Sequence, residues 1–283
     1  MSADAPSGPG PSGRGDEPAR RDHASAGEML RVDGATKRYG KFTAVDRIDL
    51  VVHRGEIFGF LGPNGAGKTT TIRMVAGVLK PSEGRILIGG DDVATASEAA
   101  KSRLGYIPDR PFLYEKLSGA EFLRFVAGLW GKDGRETEER ADRLLELFSL
   151  TEWKHELIES YSHGMRQKLL ITSALLHDPE IVVVDEPMIG LDPRAARILK
   201  DLFRAYVARG GTIFLSTHTL EVAEALCDRI AIISQGRIIA LGTMEELRAQ
   251  AHAGGAHLEE IFLKVTGGEA IAEVVASLRD ALE

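Results

Sequence analysis

The sequence predicts an α/β protein: a mostly parallel sheet covered by helices, with an antiparallel β subdomain, a helical insert and a C-terminal helical extension. Three observations carry this. The nearly all-apolar run "EIFGFL" enters a glycine-rich loop and then "KTTTIRMVAGVL", which has helical spacing. The apolar runs "EIVVVDEP", "GTIFLSTH" and "RIAIISQ" are separated by the amphipathic stretches "PRAARILKDLFRAYVARG" and "TLEVAEALC". Short apolar runs alternating with helical stretches are the pattern of parallel strands buried on both faces.

In chain order, residues 1–28 are rich in Gly, Pro, Ser, Asp and Arg without apolar periodicity, and are expected to form a disordered tail. The main domain is expected over 29–245. "LRVDGATKRYG" and "AVDRIDLVV" alternate apolar and polar residues as half-buried antiparallel strands do. "RILIGG" reads as a further strand, and "RLGYIP" as a short one stopped by Pro108. From about 115 to 178 the pattern turns helical, with apolar stripes in "GAEFLRFVAGLW", "ETEERADRLLELFSL" and "GMRQKLLITSALLH". "GRIIALG" returns as a strand, and the extension over 246–283 carries the helical segments "LEEIFLKVT" and "EAIAEVVASLRDALE". No internal repeat is present.

At 283 residues and 43% hydrophobic content the chain can fill a substantial core. The formal net charge of -7 gives no general reason to expect nucleic-acid binding. The single cysteine, Cys227, cannot form an internal disulfide, which suits a reducing cytosol, and is expected as a small buried hydrophobe on a helix. No apolar run approaches the ~18 residues of a membrane-spanning helix, so work at a membrane would require another chain.

Gly62 to Thr69 match G-x-x-x-x-G-K-(S or T), placed between a strand and a helix, and this makes the predicted fold that of an α/β P-loop NTPase. Glycine offers nothing to pack, so three within six positions signal a backbone that must approach a ligand. In such a loop, formed here by Gly62, Asn64, Gly65, Ala66 and Gly67, successive N–H groups converge on phosphate oxygens, and the following helix adds its positive dipole end. Lys68 would reach the β- and γ-phosphates, Thr69 would hold Mg²⁺ through its hydroxyl, and Thr70 can donate to a phosphate oxygen. The loop thus predicts a nucleotide's phosphates together with Mg²⁺. "IVVVDEP" supplies the acids at a strand end: Asp185 for the Mg²⁺ shell, and Glu186 to accept a proton from an attacking water. His218, closing "FLSTH", falls at the carboxyl edge of the sheet, where it can sense a γ-phosphate.

Together with "YSHGMRQK" at 161–168, this set resembles the ATP-binding cassette family over roughly residues 29–245. The motifs occur in the family's order: Tyr39, the Gly62–Thr70 loop, "YIPD", "SHG", "VVVDEP", "GLD" and His218. The resemblance implies two such domains sandwiching two ATP, each between one domain's phosphate loop and the other's signature helix. Ser162, a good N-cap residue, and Gly164 open that helix. By the same resemblance Tyr39 stacks on adenine, Glu186 is the general base, and Asp192 couples the two sites. "SHGMRQKL", "LGTMEELR" and "LEEIFLKVTG" look like the subfamily that pairs with separate, substrate-exporting membrane subunits. The partners implied are therefore a second copy or a homologous ATPase subunit and a polytopic permease, with no nucleic acid, and the chain would lie on the cytosolic face of the membrane through that permease.

The sequence departs from the family pattern at three places. His163 and Met165 replace the signature's usual second-position glycine and fifth-position glutamine; Asp109 stands where a glutamine usually meets Mg²⁺ and water; Met188 and Ile189 replace small polar residues before "GLDP". A carboxylate at 109 could ligate Mg²⁺ but adds negative charge near the phosphates, which Arg110 could offset. Among rival functions, a GTP switch needs an N-K-x-D element, and the only asparagine is Asn64. A small-molecule kinase has no use for the signature helix. A soluble cassette ATPase acting on DNA or ribosomes is the serious alternative, although the long coiled coils or second cassette of those proteins are missing from the sequence.

Overall fold

The computed structural model describes residues 27–110, 112–251 and 256–266. The expected tail, apart from its last two residues, and the expected helix "EAIAEVVASLRDALE" lie outside them. Strand β1 (Glu28–Tyr39) begins where the tail was expected to end and pairs antiparallel with β2 (Phe42–His53). After β3 (Ile57–Leu61) and α1 (Lys68–Val75), β4 (Glu83–Ile88) returns to β1, and the two-residue β5 (Asp91–Asp92) completes a four-stranded sheet ordered β2-β1-β4-β5.

Next come α2 (Ser97–Ser102) and β6 (Leu104–Ile107), and then the insert: α3 (Gly119–Leu129), α4 (Arg135–Leu147), two single 3₁₀ turns at Thr151–Trp153 and Ile158–Ser160, and α5 (His163–Leu175). The chain continues through β7 (Ile181–Asp185), α6 (Pro193–Ala208), β8 (Thr212–Thr217), α7 (Leu220–Leu226), β9 (Arg229–Ser234), β10 (Arg237–Gly242), α8 (Met244–Gln250) and α9 (Leu258–Thr266). The second sheet runs β10-β9-β3-β8-β7-β6, parallel throughout except for β10 at its edge.

The central strands carry the apolar runs Ile181–Val184 and Ile213–Leu215, buried throughout because both faces are covered. Along β7, Val182 and Val184 join a core with α5, α6 and the insert, built on Leu169, Ile171, Leu199, Phe203 and Phe148. Ile181 and Val183 join a second core, between this sheet and the antiparallel one, with Phe58, Phe60, Phe214 and the α1 residues Ile72, Met74 and Val75. A period of two along the strand thus feeds two cores, and each such side chain fully buried contributes about 1.5–3 kcal/mol. This anchors α1 and the ends of β3, β6, β7 and β8, where the functional residues sit.

Helix starts follow local chemistry. Ser118 and Thr243 form reciprocal capping boxes with Glu121 and Glu246, and Asp192 caps α6 ahead of Pro193 at its first position. In "LEEIFLKVT", Leu258 and Ile261 are fully buried, and Glu224 on α7 ties the helix down by accepting from the Leu258 N–H and lying 3.5 Å from Arg248 and 3.4 Å from His257. Cys227 is buried as expected, but it stands just past α7 in extended backbone rather than on a helix, and its Sγ fills the space beside Gly59, where a Cβ would lie 2.8 Å from it. Its thiol is pushed far above its usual value by burial.

Candidate functional site

The loop after β3 folds as its glycines require. A Cβ on Gly62 would lie 2.3 Å from the Ile233 carbonyl oxygen, and one on Gly67 2.7 Å from that of Ala44. Gly65 and Gly67 also take φ of 79° and 110°, a region open mainly to glycine. Asn64 and Gly65 are exposed at the tip, while Ala66 is buried beneath it. Gly67 serves as N-cap of α1 with no side-chain cap, so the first N–H groups of the helix have no side-chain acceptor there.

Lys68 curls back under this loop and is buried, its Nζ donating to the carbonyls of Gly62 at 2.7 Å and Pro63 at 3.3 Å. Burial lowers its pKa, opposed by the charges of Glu186 and Asp185. The lysine therefore lies within the field of both acids, although those residues are more than 100 positions away in sequence. Thr69 and Thr70 follow it, both half-buried.

Asp185 ends β7 with no exposed surface. The Ser216 hydroxyl, one strand over on β8, donates to its Oδ1, while Oδ2 is buried with no hydrogen-bond partner among the described residues. Burial raises this carboxyl's pKa; the hydroxyls of Ser216 and Thr69 oppose that, and the charges of Asp109 and Glu186 add to it. A buried carboxylate oxygen without a donor, beside a threonine hydroxyl and a glycine-rich loop, is the kind of hard oxygen ligand Mg²⁺ takes, so Asp185 and Thr69 are the residues that would hold that ion. Among the described residues no group of three or more His, Cys, Asp or Glu is placed to hold a metal ion.

Glu186 is next, in the left-handed region at φ 53°, a conformation that costs a non-glycine residue about 1–3 kcal/mol. The turn swings its side chain to within 2.9 Å of His218 Nδ1, with the carboxylate largely covered and the imidazole about half exposed. β7 and β8 are hydrogen-bonded neighbours, Asp185 opposite Ser216, so their ends bring the acids and the histidine together. Asp109 lies just past β6, which pairs with β7 on the other side. Ser216 was not anticipated from the sequence. Its signal was weak: a hydroxyl two positions before His218 on the expected strand "GTIFLSTH".

Tyr39, at the end of β1, is 51% exposed, with Lys37 Nζ 5.5 Å from its ring centroid. Tyr39 is thus a surface ring rather than a core aromatic. Ser162 caps α5 by accepting from the Met165 N–H at 3.3 Å. Gly164 abuts the loop after β7, where its Cβ would lie 2.9 Å from the Gly190 oxygen, and the His163 ring covers Gly190 from the other side. Asp192 caps α6 through the Ala195 N–H at 2.8 Å and sits 3.4 Å from Lys168 Nζ; these two contacts, the backbone bond first, hold its pKa below the usual carboxylate value.

If Asp109 belongs to the metal shell, Asp109→Gln is expected to keep ATP hydrolysis and change its Mg²⁺ dependence, and Asp109→Ala to impair it further. A Mg²⁺ titration unchanged from wild type in both variants would place this carboxylate outside the shell.

Comparison with known proteins agrees with this layout. Residues 45–189 match the model of the ABC transporter family. The chain is 41% identical over 236 residues to the daunorubicin resistance ATP-binding protein DrrA3 of Streptomyces coeruleorubidus, covering 83% of this chain and 74% of that one. It is 39% identical over 219 residues to the linearmycin resistance ATP-binding protein LnrL of Bacillus subtilis, covering 77% and 70%. A solved structure of the ATP binding subunit of an ABC transporter superposes with a TM-score of 0.81 at 37% identity, covering 84% of this chain and 99% of that one. With the phosphate loop, the paired acids at the end of β7 and the signature helix all in place, the chain belongs to the ABC transporter family, as an ATP-binding and ATP-hydrolysing subunit.

Proposed function

We propose that this subunit binds ATP with Mg²⁺ between the Gly62–Thr70 loop of one copy and the Ser162 and Gly164 helix start of a second copy or a homologous subunit. The observation that carries this reading is the grouping of Lys68, Asp185 and Glu186–His218 at adjoining strand ends, with one buried Asp185 oxygen unpaired. The loop N–H groups and Lys68 hold the phosphates, and Tyr39 stacks on adenine. Thr69, Asp185 and Asp109 would hold Mg²⁺, which when bound neutralises charge on the phosphates. Glu186 takes the proton from the attacking water, and His218, whose Nδ1 lies 2.9 Å from its carboxylate, fixes its orientation beside the γ-phosphate. Asp192, at the head of α6, stands on the surface that would meet the other copy.

In the family, such subunits dimerise and partner with membrane permeases. No helix among the described residues is long and apolar enough to cross a membrane. We therefore place the chain in the cytoplasm, held to the membrane through a separately encoded permease. The names of its relatives, resistance to daunorubicin and to linearmycin, favour export of a toxic small molecule.

The loop after Asp109 is where a permease contact is expected. Phe112 is 88% exposed, and Tyr114, also exposed, packs edge-on against Phe125 with centroids 5.3 Å apart. Leu113 is half-buried against the insert core, so local packing rather than docking accounts for it. Phe112→Ala is expected to leave ATP binding and the melting temperature of the isolated subunit unchanged while abolishing export and weakening co-purification with the permease. A lowered melting temperature with lost ATP binding would instead make Phe112 part of the fold.

A further inference from the structure

Gln167, on α5, is 1% exposed, yet neither its amide nitrogen nor its oxygen has a hydrogen-bond partner among the described residues. Burying such a group unpaired costs about 1–3 kcal/mol. A methionine of similar volume would fit there without that cost. A side chain that burdens the fold in this way points to another use.

Its place on the helix indicates where that use lies. Gly164, one turn earlier, abuts the Gly190 carbonyl of the loop between β7 and α6. Residues three apart share a helix face, so Gln167 continues the face on which that loop rests. The loop runs from Glu186 to the Asp192 cap. It is strained at Glu186, with φ 53°, and turns through Gly190, with φ 79°. Its internal backbone bonds, Ile189 N–H to the Glu186 oxygen and Leu191 N–H to the Met188 oxygen, are both long at 3.3 Å. A loosely tied loop above a buried unpaired amide describes two partners with a second arrangement available, in which they bond to each other.

We propose that Gln167 is a positioning residue for ATP hydrolysis: in the ATP·Mg²⁺-bound subunit the 186–191 loop settles onto α5, its backbone groups pair with the Gln167 amide, and Glu186 is thereby fixed for proton abstraction. The proposal rests on the assignment of the nucleotide site and of Glu186 as base. Gln167 touches no reacting atom; it acts through the loop that carries Glu186.

The test uses full-length wild type and Gln167→Met, with melting temperature measured alone and with ATP·Mg²⁺, alongside ATP affinity and steady-state hydrolysis. Alone, the variant is expected to melt at or above wild type, because an unpaired amide has been removed. With ATP·Mg²⁺ its rise in melting temperature is expected to be smaller than that of wild type, its affinity about tenfold weaker, and kcat reduced, since the bound state has lost the hydrogen bonds to the loop. A merely structural glutamine predicts the opposite: a lower melting temperature alone and an unchanged nucleotide-induced rise. Either of those results overturns the proposal. A wild-type chain whose melting temperature does not respond to ATP·Mg²⁺ would overturn the nucleotide site itself, and this proposal with it.

Discussion

Glu186→Gln is expected to bind ATP·Mg²⁺ as tightly as wild type and to hydrolyse it about 10²–10⁴-fold more slowly, the range by which a positioned general base accelerates a reaction. The substitution keeps the shape of a side chain that is almost covered and 2.9 Å from His218, and removes only its ability to take a proton. The proposed phosphate ligands, Lys68 and the loop N–H groups, are not touched by the change. The bound state should therefore accumulate, visible as retained ATP in filter binding and as absent phosphate release. Phosphate release at the wild-type rate would remove Glu186 from the role of base.

Lys68→Ala is expected to act at the other end of the cycle, weakening ATP binding roughly 10- to 150-fold, the value of one charge-assisted contact to a phosphate. The loss should not come from unfolding. Lys68 is held by two loop carbonyls, but burial disfavours its charge, so its removal relieves desolvation while it breaks those bonds. Titration with a fluorescent ATP analogue beside a melting curve separates the two effects: weak binding with a near-wild-type melting temperature is the expected pair. Equal loss in both would make Lys68 a structural residue of the loop.

The phosphate loop was fully legible in the sequence because steric exclusion dictates it: no residue with a Cβ fits at Gly62 or Gly67, so the glycines had to be there. The central strands were legible for a similar reason, since burial on both faces forces every position of β7 to be apolar or, at its end, functional. The Glu186–His218 contact was not legible. It joins the residues that follow two different strands, and only the β7–β8 register brings them together. Ser216 was missed because a serine at a strand end carries no signal until its partner, Asp185, is seen beside it. β5 and α2 were not anticipated either, because "DDVATASEAAKS" is too polar and too short to show a period, and its turn is set by Asp92 accepting from the N–H groups of Ala94 and Thr95. Leu113 and Phe112 looked alike in sequence, and only packing against the insert separates the half-buried one from the exposed one.

If ATP is held between the Lys68 loop of one subunit and the Ser162 helix start of another, solution mass measured together with bound-nucleotide count will show it. The Glu186→Gln chain mixed with ATP·Mg²⁺ is expected to elute from size exclusion at twice the monomer mass with two ATP per dimer. A further Ser162→Arg substitution, which places a bulky cation at the helix start, should return it to a monomer that still binds ATP through its own loop. A Glu186→Gln chain that binds ATP yet remains monomeric at every concentration, or a dimer indifferent to Ser162→Arg, would contradict the account.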